Sequence, residues 1–166
     1  MNDVLLLCRE KLNDITPLKR DCGRICGARC CRSCDGEETG MLLFPGEEAL
    51  YRDKPGWKIL EEANGKMVIC PGTCVRDERP LACRLFPLLP LIREEGIRAA
   101  ADLRARAVCP LARQGIRAVD PAFRDAVREA GEMLAEDGEQ RCFLQALTAE
   151  QDEIRQLRER LGGSHV

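Results

Sequence analysis

The chain has 166 residues, 26 basic and 28 acidic side chains, a formal charge of −2 and only 4% aromatic residues. That length suits one domain, 1–166, with a sizeable core built from Leu, Ile, Val and Ala. The charge lacks the basic excess of nucleic-acid binding, and no apolar run approaches the length of a membrane span.

Residues 3–19 read as an amphipathic helix, with Val4, Leu5, Cys8, Leu12 and Ile15 at helical spacing and Pro17 as its end. Cys8 on this stripe reads as a small buried hydrophobe. Val4-Leu5-Leu6-Leu7-Cys8 superficially resembles a lipoprotein cleavage box. Asp3 precedes it, however, no basic segment opens it, and the apolar run falls short of the roughly 7–15 residues of an export signal. The expected compartment is therefore the reducing cytoplasm.

The run Cys22-Gly-Arg-Ile-Cys26-Gly-Ala-Arg-Cys30-Cys31-Arg-Ser-Cys34 follows, five sulfurs in thirteen residues. Gly23 and Gly27 each follow a cysteine, which favours a turn-rich loop with at most one helical turn over a continuous helix. Arg24, Arg29 and Arg32 alternate with the thiols, either as a solvated basic loop or as cations that offset thiolate charge.

Met41-Leu-Leu-Phe44 is compatible with a strand, and Pro45-Gly46-Glu47-Glu48 reads as a helix opening, with acids at the positive end. Trp57, Ile59 and Leu60 are expected in the core, and Glu61-Glu62 on an exposed surface. Lys66-Met-Val-Ile-Cys70 reads as a strand leading into a Pro71-Gly72 turn and Cys74. Pro80 opens a short helix that presents Cys83. Leu88–Ile92 and 97–103 are expected to pair across Glu94-Glu95-Gly96.

Cys109-Pro110 leads into a helical remainder. Asp120-Pro121 is a helix start whose buried side is Phe123, Val127, Ala130, Met133 and Leu134, and Gly138 is expected to close it. Phe143, Leu144 and Leu147 belong to another helix, and Thr148 with Gln151 is expected to cap a last one. Cys142 is expected to pack rather than ligate. His165, the single histidine, sits in a Gly-Gly-Ser-His-Val tail expected to fray, which disfavours Cys/His catalysis and mixed Cys/His ligation.

Nine of the eleven cysteines lie between positions 22 and 109. Adjacent α-carbons are about 3.8 Å apart, whereas a relaxed disulfide wants about 4.4–6.8 Å, so Cys30 and Cys31 do not pair comfortably. An odd total leaves at least one thiol over. Ionised thiols are strong ligands for zinc, copper(I) and iron–sulfur clusters, and clustered cysteines in a reducing compartment point to metal.

The Cys22…Cys26…Cys30-Cys31 run, the later pair, the Arg79-Pro80-x-x-Cys83-Arg84-x-x-Pro87 element and the lone Cys109 together resemble the YkgJ-type cysteine-cluster family. That family is described as a zinc- or iron-chelating domain. The resemblance covers residues 20–110, and it implies Cys22, Cys26, Cys30, Cys31, Cys70, Cys74, Cys83 and Cys109 as metal ligands. The first-group spacing departs from the family's usual Cys-x3-Cys-x2-Cys-Cys, and Cys34 is additional. The family also includes flagellin lysine N-methylases, but this chain has no G-x-G-x-x-G fingerprint, so methylase activity is not carried over.

Iron–sulfur ligation and zinc both fit. The adjacent Cys-Cys pair suits a larger cluster somewhat better, because the side chains of neighbours tend to point apart. The expected architecture is α+β, mainly α. A small cysteine-rich metal-binding core (20–110) with short strands or a hairpin lies between an N-terminal helix (1–19) and a helical segment (111–162). The expected function is a cytosolic metal-binding protein with no nucleic-acid or membrane partner, though a protein partner is possible. The alternative is a redox or methyl-transfer-type enzyme using a cysteine-ligated iron–sulfur cluster.

Overall fold

The computed structural model describes residues 3–20, 22–32, 40–72 and 74–162. Helices α1 (Asp3–Lys11), α2 (Gly23–Cys26), α3 (Leu81–Leu85), α4 (Pro110–Gln114), α5 (Pro121–Glu136) and α6 (Gly138–Arg160) combine with two small antiparallel sheets. One sheet orders β1 (Met41–Leu42), β3 (Gly65–Ile69) and β2 (Lys58–Glu62), and the other is the hairpin β4 (Leu88–Arg93) and β5 (Gly96–Ala101). The protein is thus α+β with helix predominating. Among the described residues no helix is long and apolar enough to cross a membrane.

The main core joins both ends of the chain. Leu5, Cys8 and Leu12 of the first segment meet Leu81 and Leu85 of α3, Phe123, Val127, Ala130 and Leu134 of α5, and Leu144 and Leu147 of α6. Burying an aliphatic side chain of this size contributes about 1.5–3 kcal/mol. Cys8 is fully buried and its thiol donates to the Ala130 carbonyl at 3.5 Å. The hairpin pairs Ile92 with Ile97 across the Glu94-Glu95 turn, in the expected place.

Packing of α5 on this hairpin requires a missing side chain. A Cβ on Gly131 would stand 2.3 Å from Cβ of Pro90 and 2.7 Å from Cγ2 of Ile97, well inside van der Waals contact.

Several boundaries differ from expectation. The first helix ends at Lys11 rather than near 19, because the Arg76 guanidinium takes up the carbonyls of Leu12, Asn13 and Ile15. A helix continuing through them would have turned those carbonyls into its own ladder. Gly138 opens α6 instead of closing α5, since the Asp137 carboxylate accepts the N–H groups of Glu139 and Gln140 as an N-cap.

From there α6 runs unbroken for 23 residues, so Thr148 and Gln151 cap nothing. Thr148 instead accepts the Ile92 N–H through its hydroxyl, and Gln151 bonds Leu103 and Asp102. Cys142 on this helix is exposed rather than packed. The segment opened by Pro45-Gly46 is a single 3-10 turn, Glu47–Leu50. Strands β2 and β3 form a hairpin across the Ala63-Asn64 turn that the residue pattern did not announce.

Candidate metal centre

Three stretches of chain deliver thiols to one cleft. In the first, Cys22 precedes α2 and its carbonyl accepts the N–H groups of Ile25 and Cys26. Gly27 ends this turn at φ +66°, and Ala28 continues in the left-handed region at φ +53°. Two successive left-handed residues reverse the chain, and a 3-10 turn over Arg29–Cys31 follows. A left-handed alanine costs on the order of 1–2 kcal/mol, so its neighbours must hold it there.

The second stretch leaves β3 at Ile69, places Cys70 at its end and turns through Pro71 and Gly72. Gly72 has φ +78°, and a Cβ there would lie 3.4 Å from the Cys31 carbonyl oxygen. Glycine therefore lets this turn settle against the backbone of the first stretch. Cys74 follows, hydrogen-bonded by the Arg79 side chain. The third stretch is α3, begun after Pro80 as expected and carrying Cys83.

Cys22, Cys30, Cys31, Cys70, Cys74 and Cys83 line this cleft, whose volume is about 400 Å³. The rest of its wall is largely apolar, with Arg76, Arg79 and Arg84 among the lining residues. The Sγ atoms of Cys30 and Cys31 are 3.9 Å apart. Neighbouring cysteines thus turn toward each other here, against the expectation that they diverge. Among the described residues, no three cysteine, histidine or carboxylate side chains are drawn up closely enough to hold a metal ion as they stand.

The other expected ligands fall elsewhere. Cys26 is half-buried and outside the cleft lining. Cys109 is buried at the start of α4 against Ala105 and Ala112. Phe86, which lines the cleft, packs against that cluster, so Cys109 sits behind a wall of the cleft. Cys34 and His165 lie outside the described residues. Of the three arginines interleaved with the first cysteines, Arg29 and Arg32 line an adjoining cavity that shares Cys30, Met41 and Phe86 with the cleft.

Electrostatics at Cys30, Cys74 and Cys83 run in one direction. The Cys30 thiol is pushed up by its hydrogen bond with Cys31, by burial and by the nearby Cys31, Cys22 and Cys83. Burial raises Cys74, against the pull of Arg79, and burial with Cys31, Cys74 and Cys70 alongside raises Cys83 strongly. Gathered thiols resist ionising together because thiolates repel. A cation among them reverses that balance, so metal uptake by this group would release protons and strengthen as pH rises.

Behind the cleft lies a polar network that residue spacing did not disclose. Glu47, fully buried, accepts from Arg9 at 2.6 Å and from the Leu81 N–H at 2.7 Å. Burial pushes its carboxyl up, and the Leu81 N–H, Arg9 and the Phe44 N–H oppose that rise. Tyr51 accepts from Arg9 and donates to the Glu78 carbonyl, both at 3.0 Å.

Arg84, next to Cys83, donates to the carbonyls of Arg9, Asp77 and Arg79 and to Oδ1 of Asn13. Both arginines of the Arg-Pro-x-x-Cys-Arg element therefore have structural partners around the thiols. Arg79 bonds Cys74, and Arg84 fastens the Cys83 helix to α1 and to the 3-10 turn Arg76–Glu78. The only sequence signal for Glu47 was an acid at a helix opening, which predicts exposure.

A scan of protein-family models, a search of curated proteins and a search of solved structures each returned no match.

Proposed function

We propose that the six-thiol cleft ligates metal, and that the protein is a cytoplasmic metal-binding protein whose centre ties three separate stretches of chain together. The observation that carries this reading is the gathering of Cys22, Cys30, Cys31, Cys70, Cys74 and Cys83 on one cleft. The donor set is soft throughout, as zinc and iron–sulfur ligation require. Zinc takes four thiolates at about 2.3 Å, which puts neighbouring sulfurs of a tetrahedron about 3.8 Å apart. The 3.9 Å between Cys30 and Cys31 suits that edge. The objection that adjacent cysteines point apart therefore falls away, and zinc becomes the first choice.

An iron–sulfur cluster is the second reading, favoured by the size of the cleft. A water molecule takes about 30 Å³ of liquid, and a space of about 400 Å³ far exceeds what one bare ion fills. Zinc would supply a structural crosslink, whereas an iron–sulfur cluster would supply electron exchange. The YkgJ-type resemblance includes these six cysteines and points the same way.

Anaerobic purification, metal analysis and an absorption spectrum test the proposal. Stoichiometric zinc without colour supports the first reading. Iron and sulfide with a broad visible band support the second. A natively folded chain that carries no metal and takes up neither zinc nor iron would sink both.

A further inference from the structure

We propose that the protein pairs with a second copy of itself, the acidic, leucine-bearing outer face of α1 in each copy docking on the basic 19–32 segment of the other. This goes beyond the metal-binding reading and does not depend on it.

The outer face of α1 is the first argument. Its exposed residues are Asp3, Leu6, Leu7 and Glu10. They stand at i, i+3, i+4 and i+7, so they share one side of the helix. Leu6 is 45% exposed and Leu7 52%, an apolar pair that the core does not use. Both cations of the helix are engaged elsewhere, Arg9 buried on Glu47 and Lys11 on Glu129. The solvent face is therefore apolar and negative, and Asp14 just past the helix adds another exposed acid.

The segment 19–32 carries the opposite sign. Lys19, Arg20, Arg24, Arg29 and Arg32 are exposed, and these cations outnumber the one acid of the segment, Asp21. Ile25, 60% exposed, stands beside Arg24 on α2. Among the described residues no ion pair takes up Asp3, Glu10 or Asp14, nor Lys19, Arg20, Arg24 or Arg29. Each patch offers the other counter-charge around exposed apolar side chains.

The spacing of the patches is the third argument. From Lys11 to Lys19 the chain can reach at most about 29 Å. That link is pinned, because Arg76 takes the carbonyls of Leu12 and Ile15, and Pro17 accepts the Asp120 N–H at 2.9 Å. The two patches thus keep a fixed relation within the span of one interface. A twofold axis lets each copy give its α1 and receive the other, so the contact is made twice. The helix has nine residues and is only about 13 Å long. One such contact falls short of the roughly 800 Å² per partner of a stable complex, and the doubled contact is expected to give a dimer that dissociates on dilution.

Sedimentation of the full chain tests this, under a reductant that keeps exposed Cys142 from cross-linking copies. The expected result is a reversible dimer that weakens by about tenfold or more between about 0.05 M and 0.5 M salt. Asp3→Lys/Glu10→Lys and Arg20→Glu/Arg24→Glu should each leave monomer at the same concentration. The chain with all four changes should dimerise again. These positions are exposed, so the fold should survive, which circular dichroism checks. If a charge variant fails to fold, Leu7→Ser should weaken the dimer and leave its salt dependence in place. A dimer that ignores salt, or losses that the fourfold variant does not restore, would overturn the proposal. A folded chain that stays monomeric would overturn it too and leave the α1 face to a basic partner of other sequence. Metal analysis of the same samples judges the metal-binding reading separately.

Discussion

Glu47 accepts the backbone N–H of Leu81 at 2.7 Å, so a carboxylate with no solvent exposure holds the first residue of the helix that carries Cys83. The same oxygen accepts from Arg9 at 2.6 Å, and Arg9 also donates to Tyr51. A short helix has few internal hydrogen bonds, and its opening N–H groups need outside acceptors. Glu47 meets that need while balancing the Arg9 charge.

Replacing Glu47 by Gln leaves the Arg9 guanidinium buried without its counter-charge and turns an amide toward donors. Breaking a buried pair in this way costs about 3 kcal/mol or more. Urea denaturation of the Glu47→Gln chain is expected to show a loss of that order. The Arg9→Met/Glu47→Leu double variant should recover much of it, because no lone charge remains. A Glu47→Gln midpoint equal to that of the unaltered chain would show that the pair bears no weight.

Cys8 governs an alkaline limit. Burial pushes its thiol up to about 12, with Lys11 opposing the rise. An ordinary thiol titrates near 8.5, so above that pH the unfolded chain gives up a proton that the folded one keeps. The thiol's contribution to stability is thus complete below about pH 8.5 and is lost as pH climbs toward 12. A plot of unfolding free energy against pH should fall less steeply through this window in Cys8→Ala. At pH 8, a thiol reagent should label exposed Cys142 in the native chain and reach Cys8 only after unfolding.

Two glycines of the paired helices should respond in opposite directions to alanine. At Gly131 the new methyl would strike Pro90 and Ile97. Overpacking of about 1–3 kcal/mol then outweighs the gain of up to about 1 kcal/mol in helix propensity. At Gly138 nothing lies within 4 Å of the new methyl, so alanine should stabilise by up to about 1 kcal/mol. Thermal melts of the two variants should move Tm down for Gly131→Ala and up for Gly138→Ala. A rise for both would mean that α5 can slide off the hairpin at no cost.

Serine variants separate the cleft thiols from their outlying neighbours. Cys83→Ser should lose metal, whereas Cys26→Ser and Cys142→Ser should keep it at full stoichiometry. Metal analysis after identical anaerobic purification decides this. Equal metal content in Cys83→Ser and Cys26→Ser would reject the division drawn by the cleft.

The parts of the fold that can be read from residues are those set by local chemistry. Asp120-Pro121 announces α5 because a capping carboxylate and a pre-set φ act within a few residues. Glu94-Glu95-Gly96 announces the hairpin for the same reason. The end of α1 is not legible, because the side chain that takes its carbonyls is Arg76, brought in by the tertiary fold. The continuity of α6 escapes notice because Thr148 and Gln151 look like a capping pair and instead bond to the hairpin and its exit. At the candidate centre, clustering along the chain points to six of the gathered thiols but does not set Cys26 and Cys109 apart. That separation depends on the Gly27-Ala28 reversal and on the wall formed by Phe86.

The bonds around Arg84 also determine how the molecule comes apart. Its guanidinium joins α1, the turn at Arg76–Glu78 and the Cys83 helix through directional contacts to oxygen atoms. The Cys83 helix is held besides by its own Leu81 and Leu85, which pack in the main core with α5 and α6, whereas the turn Arg76–Glu78 buries no side chain. Directional contacts fail together once their alignment is lost. The segment 76–80 is therefore expected to open at lower free energy than the helical pair. In the metal-free chain, amide protons in that segment should exchange by partial opening, while those of α5 and α6 wait for complete unfolding.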